Sequence, residues 1–177
     1  MAGDAFAKLI AAKGLEVPKV LRAFHQRGGG HYSGCAQVQS GNGLARLLTR
    51  ILGFPLAGTE VPFSIEINPV DGGEAHIWNR HFGPSTTRSS LRYDAQRGCV
   101  VESFGPVLID LDLEVEDAML RVQVLRARLF GMVLPGFLTP MSAAREFVTP
   151  EGRFGFDIAG HLPGVGLLIR YCGEFDL

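Results

Sequence analysis

The chain has 177 residues, a formal net charge of −1 and three cysteines, and these values exclude several classes of protein. The length is sufficient to bury a hydrophobic core without disulfide bonds. A near-neutral charge is atypical of nucleic-acid-binding proteins, which usually carry a basic stripe. No apolar run approaches the roughly 20 residues of a membrane-spanning helix, and the first residues lack the apolar segment of a secretory signal. We therefore expect a single domain over residues 1–177.

The chain has an odd number of cysteines, and they lie far apart in the sequence: Cys35, Cys99 and Cys172. This spacing predicts free thiols in a reducing compartment, and we expect a bacterial, cytoplasmic location.

Three helices are predicted in the first third of the chain. The first runs from Ala5 to Lys13 with Asp4 as its N-cap. The second starts after Pro18, which suits the first turn of a helix, and ends at three glycines, 28–30. The third covers 43–53 and stops at Gly53 and Pro55. Its apolar residues recur at helical spacing opposite Arg46 and Arg50: Leu44, Leu47, Leu48, Ile51 and Leu52.

Strand patterns fill the rest of the chain. Alternating apolar residues and short polar turns predict strands at about 31–40, 61–70, 75–82, 87–94, 99–104, 107–116, 119–130, 141–149, 153–160 and 165–176. In the 107–130 hairpin, a turn at Asp117-Ala118 sets Leu113 opposite Val122 and Leu111 opposite Val124. The same register pairs Glu114 with Arg121 and leaves Asp112 exposed.

Consecutive hairpins place alternate connections at opposite ends of the sheet. One set consists of polar turns, at 71–73, 95–98, 117–118 and 150–152. The other set is apolar and includes 43–55, 82–84, 104–106, 130–140 and 161–164. Two explanations for the apolar set stand side by side: the N-terminal helices bury it as core, or it surrounds an opening that meets a ligand, a membrane or a partner.

No motif predicts an enzyme, a metal site or a cofactor. The stretch Gly41-Asn42-Gly43 opens a helix, but Arg46 replaces the last glycine of a dinucleotide fingerprint. The histidines show no metal-ligand spacing, since His76 and His81 lie on opposite faces of one strand. We therefore expect no cofactor and no metal, and the question of catalysis stays open.

Two arginines are candidates for an interior site. Trp78, Arg80 and Phe82 share one strand face, which a two-residue turn aligns with Phe63 and Ile65. Arg80 then points inward and needs a carboxylate; Glu102, Glu146 and Asp157 are the candidates. A three-residue loop would instead turn Arg80 outward. The turn at 150–152 is expected to place Arg145 on the face of Phe147, Phe154 and Phe156. Such arginines are either structural ion pairs or anchors for an anionic headgroup.

Composite glycine, proline and aromatic patterns carry a family resemblance over nearly the whole chain. They include Gly53-Phe54-Pro55, Trp78-x-Arg80-x-Phe82, Glu102-x-Phe104-Gly105-Pro106, Gly152-Arg153-Phe154-x-Phe156-Asp157 and Tyr171-x-Gly173. With these features the chain resembles the uncharacterised bacterial family named domain of unknown function 4166. Members often stand behind a saccharopine-dehydrogenase-like reductase domain, which implies that this chain either stands alone or docks on a reductase partner in trans. The family brings no catalytic residues.

These observations predict an α+β fold, mainly antiparallel: a strongly curved sheet or up-and-down β-barrel of about nine or ten strands with N-terminal helices. The function we expect is non-catalytic binding of an apolar or amphipathic small molecule, such as a lipid or fatty-acyl group, in the interior. The alternative is a protein-interaction module for the reductase. Candidate ligand-binding residues are Trp78, Arg80, Phe82, Arg145, Leu134, Phe137 and Leu48.

Overall fold

The computed structural model describes residues 3–51, 53–55 and 57–177. Within them lie three helices and eleven strands, in an α+β fold dominated by antiparallel sheet. In chain order the elements are α1 (Ala5–Lys13), α2 (Lys19–Arg27), β1 (Gly30–Ser40), α3 (Gly43–Ile51), β2 (Gly58–Val70), β3 (Ala75–Phe82), β4 (Ser85–Asp94), β5 (Cys99–Phe104), β6 (Val107–Glu116), β7 (Met119–Leu129), β8 (Met132–Val133), β9 (Met141–Val148), β10 (Phe154–Leu162) and β11 (Gly166–Phe175).

Ten of these strands form a closed up-and-down barrel, as the sequence predicts. Strands β1 to β7 pair in succession, β7 pairs with β9, β9 to β11 follow, and β11 returns to β1. The short β8 lies outside the closed ring and pairs with the end of β7. All of these pairs are antiparallel, so the connections alternate between the two ends of the barrel.

The β6–β7 hairpin has the predicted register. Leu113 pairs with Val122 and Glu114 with Arg121. Asp117 and Ala118 both have positive φ, 51° and 59°, which is the two-residue turn that matches strand twist. Leu113 is fully buried on the inner face. Asp112 was expected to be exposed but is half-buried, because Lys13 Nζ reaches across from α1 to its Oδ1 at 2.7 Å.

The alternation confirms the predicted sorting of the connections. The polar end carries 71–74, 95–98, 117–118 and 149–153. The apolar end carries 41–57, 83–84, 105–106, 130–140 and 163–165. Phe54, from the 41–57 connection, and Phe104, the last residue of β5, meet at the apolar end with ring centroids 6.4 Å apart. Leu52, predicted on α3, lies outside the described residues.

Helices α1 and α2 fill the barrel from the polar end. The Asp4 side chain caps α1 by accepting a hydrogen bond from Ala7 N at 2.9 Å, as predicted. Lys8 Nζ donates to Gly73 O in the β2–β3 connection at 2.7 Å, and Phe24 of α2 packs on Phe154 with centroids 4.4 Å apart. Of the two explanations for the apolar connections, burial by these N-terminal helices is therefore wrong. They sit at the opposite end, because α2 leads directly into the polar-end start of β1.

Helix α3 caps part of the apolar end with its small side chains. Ala45 and Thr49 are buried, and Leu44, Leu47 and Ile51 face away from the barrel. Gly53 closes the helix with a φ of 77°, where an added Cβ would lie 2.5 Å from Thr86 O. No helix of the described residues is both long and apolar enough to cross a membrane.

Candidate functional site

A central cavity of about 210 Å³ lies inside the barrel, between the helical plug and α3. Phe6 of α1 borders it on the polar-end side, and Thr49 and Phe54 border it on the apolar-end side. Apolar side chains of the barrel strands make up most of its wall: Phe104, Val107, Ile109, Leu111, Val122, Val124, Ile158, Leu168 and Ile169. The polar groups that reach it are few and largely buried, and they determine which ligands it accepts.

Arg80 points into the barrel, as predicted. Four residues, 71–74, connect β2 to β3, and this even number keeps the parity of a two-residue turn and pairs Arg80 with Ile65. Arg80 Nη2 donates to Glu102 Oε1 at 3.1 Å, and Nη1 donates to Ser89 Oγ at 2.8 Å. The guanidinium lies 5.0 Å from the Trp78 ring centroid. Arg80 is thus an internally paired cation, and Glu102 is one of the three carboxylates expected for it.

A second buried ionic cluster was missed by the sequence analysis. The His25 ring is fully buried, with Nδ1 2.9 Å from Asp4 Oδ2 and Nε2 2.7 Å from Glu146 Oε2. Burial alone would lower the pKa of His25, but the two carboxylates outweigh it and raise the pKa to about 10. Both ring nitrogens therefore donate as an imidazolium. A signal for this cluster is Glu146, which β9–β10 pairing places opposite the inward Phe156.

The interior holds more carboxyl groups than cationic side chains. The side chains of Asp4, Glu102 and Glu146 face two cations, His25 and Arg80. Glu102 and Glu146 both border the cavity. Burial also raises the pKa of the Tyr171 hydroxyl, which stays neutral. A cavity with this balance disfavours a buried anion, since an unpaired charge costs several kcal/mol in a dry interior.

The barrel wall opens between β7 and β9. These strands pair only where Leu120–Val122 meets Ala144–Glu146. Toward the apolar end they diverge, and we call this gap the seam. Outside it lies a lateral groove of about 1010 Å³. Several residues line both the cavity and the groove, so the two are neighbours across the seam: Val122, Val124, Pro140, Met141, Ser142 and Ala144.

The groove is basic where the cavity is acidic. Arg121 and Arg126 of β7 and Arg145 and Arg170 of the facing wall line it. Arg145 and Arg170 share a single carboxylate, that of Asp157, with N–O distances of 2.8 Å. The hydrogen bond from Arg170 is the largest of several influences that lower the pKa of Asp157.

The expectation that Arg145 points inward is wrong. Arg145 pairs with Asp157 and Phe147 with Gly155, which puts Arg145 and Phe147 on the outer face. Phe154 and Phe156 point inward. The predicted turn at 150–152 gives this same pairing, since residue 149 would meet 153 and Arg145 would still meet Asp157, so the error lay in the face assigned to Arg145 and not in the turn.

The remaining predicted ligand-binding residues are dispersed. Trp78 and Arg80 line the cavity, and Leu134 and Arg145 line the groove. Phe82 is buried inside the barrel against Phe63 and Tyr171, with centroids 5.1 Å away in each case, and does not border the cavity. Leu48 is partly buried on α3 and Phe137 is exposed at the apolar end.

The described residues hold no group of three or more histidine, cysteine, aspartate or glutamate side chains arranged to bind a metal ion. The cysteines are free, with Cys99 buried, Cys172 half-buried and Cys35 exposed.

Comparison with known proteins gives a family and no characterised relative. No curated protein matches the chain. The family model described as "Domain of unknown function (DUF4166)" matches residues 17–175. This match covers α2, α3 and every strand of the barrel. The chain therefore belongs to the DUF4166 family.

Proposed function

We propose that this domain binds a small amphipathic anion, with its apolar part in the central cavity and its charged group in the lateral groove. The observation that carries the proposal is the seam: an apolar, internally acidic cavity and an arginine-lined groove share one wall of residues.

The cavity sets the size of the apolar part. Drug-sized ligands occupy pockets of roughly 300–1,000 Å³, and the cavity, at about 210 Å³, is smaller. It suits a short acyl chain or a single ring better than a long-chain lipid. Trp78 and Phe104 provide aromatic walls for such a group.

Charge determines which end of the ligand enters. The interior cations are already hydrogen-bonded to carboxylates, so Arg80 provides no unpaired charge for a headgroup. The groove offers Arg145 and Arg170 against one Asp157, together with Arg126, which has no ion-pair partner among the described residues. An anion is therefore stabilised outside the seam, while its tail enters the cavity.

Trp78 makes the proposal measurable, because it is the chain's one tryptophan and lines the cavity. Protein purified without detergent is titrated with octanoate, octanol and octylamine while the Trp78 emission is followed. We expect octanoate to bind most tightly and octylamine least tightly. An Arg126→Gln/Arg145→Gln variant should bind octanoate several-fold more weakly and octanol unchanged, at about 0.2–1 kcal/mol per exposed charge contact.

The control is Arg92→Gln, which removes an exposed arginine from β4, outside the groove. It should bind all three compounds like the parent chain. Tighter binding of octylamine than of octanoate would show that the charged group of the ligand lies in the central cavity beside the carboxylates, which would contradict the proposed orientation. No change in Trp78 emission with any of the compounds would contradict the binding function itself.

A further inference from the structure

The exposed apolar side chains of this barrel are concentrated at one end. Among the described residues, every large apolar side chain that is mainly exposed lies at the apolar end or on the first residue of a strand that starts there, except Leu125 and Leu177. Helix α3 presents Leu44, Leu47 and Ile51, which are 54%, 59% and 74% exposed. The 130–140 connection presents Phe130, Val133 and Phe137. Soluble proteins rarely expose an apolar patch of this kind without a binding role.

The two apolar segments flank one opening. Thr49 of α3 and Pro140 at the end of the 130–140 connection both border the central cavity. Side chains from separate segments therefore surround this opening as a projecting rim and do not form a concave groove. A projecting rim can insert into an apolar layer at several positions.

The charged residues of the connections at this end have one sign. The apolar-end connections, 41–57, 83–84, 105–106, 130–140 and 163–165, contain no aspartate or glutamate. Their charged residues are Arg46 and Arg50, both exposed on α3 and without an ion-pair partner among the described residues. The polar-end connections, by contrast, carry charges of both signs with an acidic excess: Asp71, Glu74, Asp117 and Glu151 against Arg97 and Arg153. The molecule is therefore polarised along the barrel axis.

We propose that the apolar end docks on the surface of an anionic lipid bilayer. Leu44, Leu47 and Ile51 of α3, with Phe130, Val133 and Phe137, enter the boundary between headgroups and acyl chains, and Arg46 and Arg50 contact lipid phosphates. An amphipathic helix with an apolar stripe beside arginines is the form that lies in this interface. A bilayer fits better than a protein partner, because a protein interface usually surrounds its apolar core with a polar rim, whereas the connections at this end contain only Arg46 and Arg50 as charged residues.

The docking does not depend on ligand binding in the cavity and is tested separately. The full chain is sedimented with vesicles of phosphatidylcholine alone and of phosphatidylcholine mixed with phosphatidylglycerol. We expect binding to the anionic vesicles and weak or no binding to the neutral ones. Arg46→Gln/Arg50→Gln should weaken binding about 25-fold, at roughly fivefold per arginine near a charged surface, and added salt should also weaken it.

The apolar contribution is tested by Leu47→Ser/Ile51→Ser/Phe137→Ser, which should reduce anionic-vesicle binding to background. These side chains are mainly exposed, so the unfolding midpoint should stay close to that of the parent. Two controls match the variants: Leu125→Ser/Leu177→Ser removes exposed apolar groups elsewhere, and Arg22→Gln/Arg27→Gln removes two exposed arginines of α2. Both should bind vesicles like the parent chain.

Three results would overturn the proposal. The first is that the parent chain does not bind anionic vesicles. The second is that a control variant loses as much binding as its apolar-end counterpart. The third is that the serine variant abolishes a dimer seen by sedimentation while vesicle binding stays at background in every variant, because the apolar end would then be a contact between copies of the chain.

Discussion

The protonated state of His25 should make the stability of this domain depend on pH at neutral and alkaline values. The folded chain raises the pKa of His25 from 6.5 to about 10. A raised pKa means that the stabilisation is complete below pH 6.5 and is lost as the pH rises toward 10. Between these limits the folded chain holds one more proton than the unfolded chain. The free energy of unfolding should then fall by about 1.4 kcal/mol per pH unit, and by about 5 kcal/mol in total.

Urea unfolding at a series of pH values within this window measures the slope. His25→Gln should flatten it, and His31→Gln, which removes an exposed imidazole, should leave it unchanged. If His25→Gln does not fold, NMR of the parent chain provides the same information, because the His25 imidazole should stay protonated well above its ordinary pKa of 6.5. A flat pH profile in the parent chain, or titration of His25 near its ordinary value, would refute the ionic clamp by Asp4 and Glu146.

Three further predictions concern the barrel itself. Leu113→Asp should prevent stable folding in circular dichroism, since a buried unpaired carboxylate costs several kcal/mol against a typical total of about 5–15; a native melting curve would contradict the register. Arg80→Met should lower the free energy of unfolding by about 3–5 kcal/mol, because it leaves the buried Glu102 carboxylate without its cation. Adding Glu102→Leu to this variant should recover much of the lost stability. If it recovers none, Arg80 and Glu102 are not energetically coupled. Gly41→Ala should destabilise the chain in thermal unfolding, because its Cβ would lie 1.7 Å from Leu167 O; an unchanged midpoint would refute this contact.

Much of the fold was predictable because strands such as β6 alternate apolar and polar residues. Where one face is apolar and the turn is short, as at Asp117-Ala118, the register has a single solution, and the hairpin follows it from the turn to the Leu111–Val124 pair, beyond which a β-bulge shifts the register by one residue. The Arg145 prediction failed although its turn was sound. A turn at 150–152 already pairs residue 145 with Asp157, as observed, so the register itself places Arg145 with Phe147 on the outer face, away from Phe154 and Phe156.

The site was less predictable because its charges meet across long sequence separations. His25 contacts Asp4 and Glu146, which lie 21 and 121 positions away in the sequence, and no local sequence pattern predicts either contact. Helix α3 shows a second limit. Its apolar stripe has the spacing of a buried face, yet Ala45 and Thr49 pack on the barrel and the leucines Leu44 and Leu47 face outward. A periodic sequence pattern identifies the apolar face of a helix but does not show whether that face packs on the barrel or stays exposed.

The central claim is that the cavity takes the apolar part of a ligand, and a variant that fills the cavity tests it most directly. Gly160 lines the cavity, has no positive φ, and an added Cβ there meets nothing within 4 Å. Gly160→Leu should therefore fold and occupy the space, while Gly160→Ala leaves most of it open. The measurement is the Trp78 emission during octanoate titration. The account predicts a saturable change in the parent chain and in Gly160→Ala, and none in Gly160→Leu. A folded Gly160→Leu protein that responds like the parent chain would contradict it.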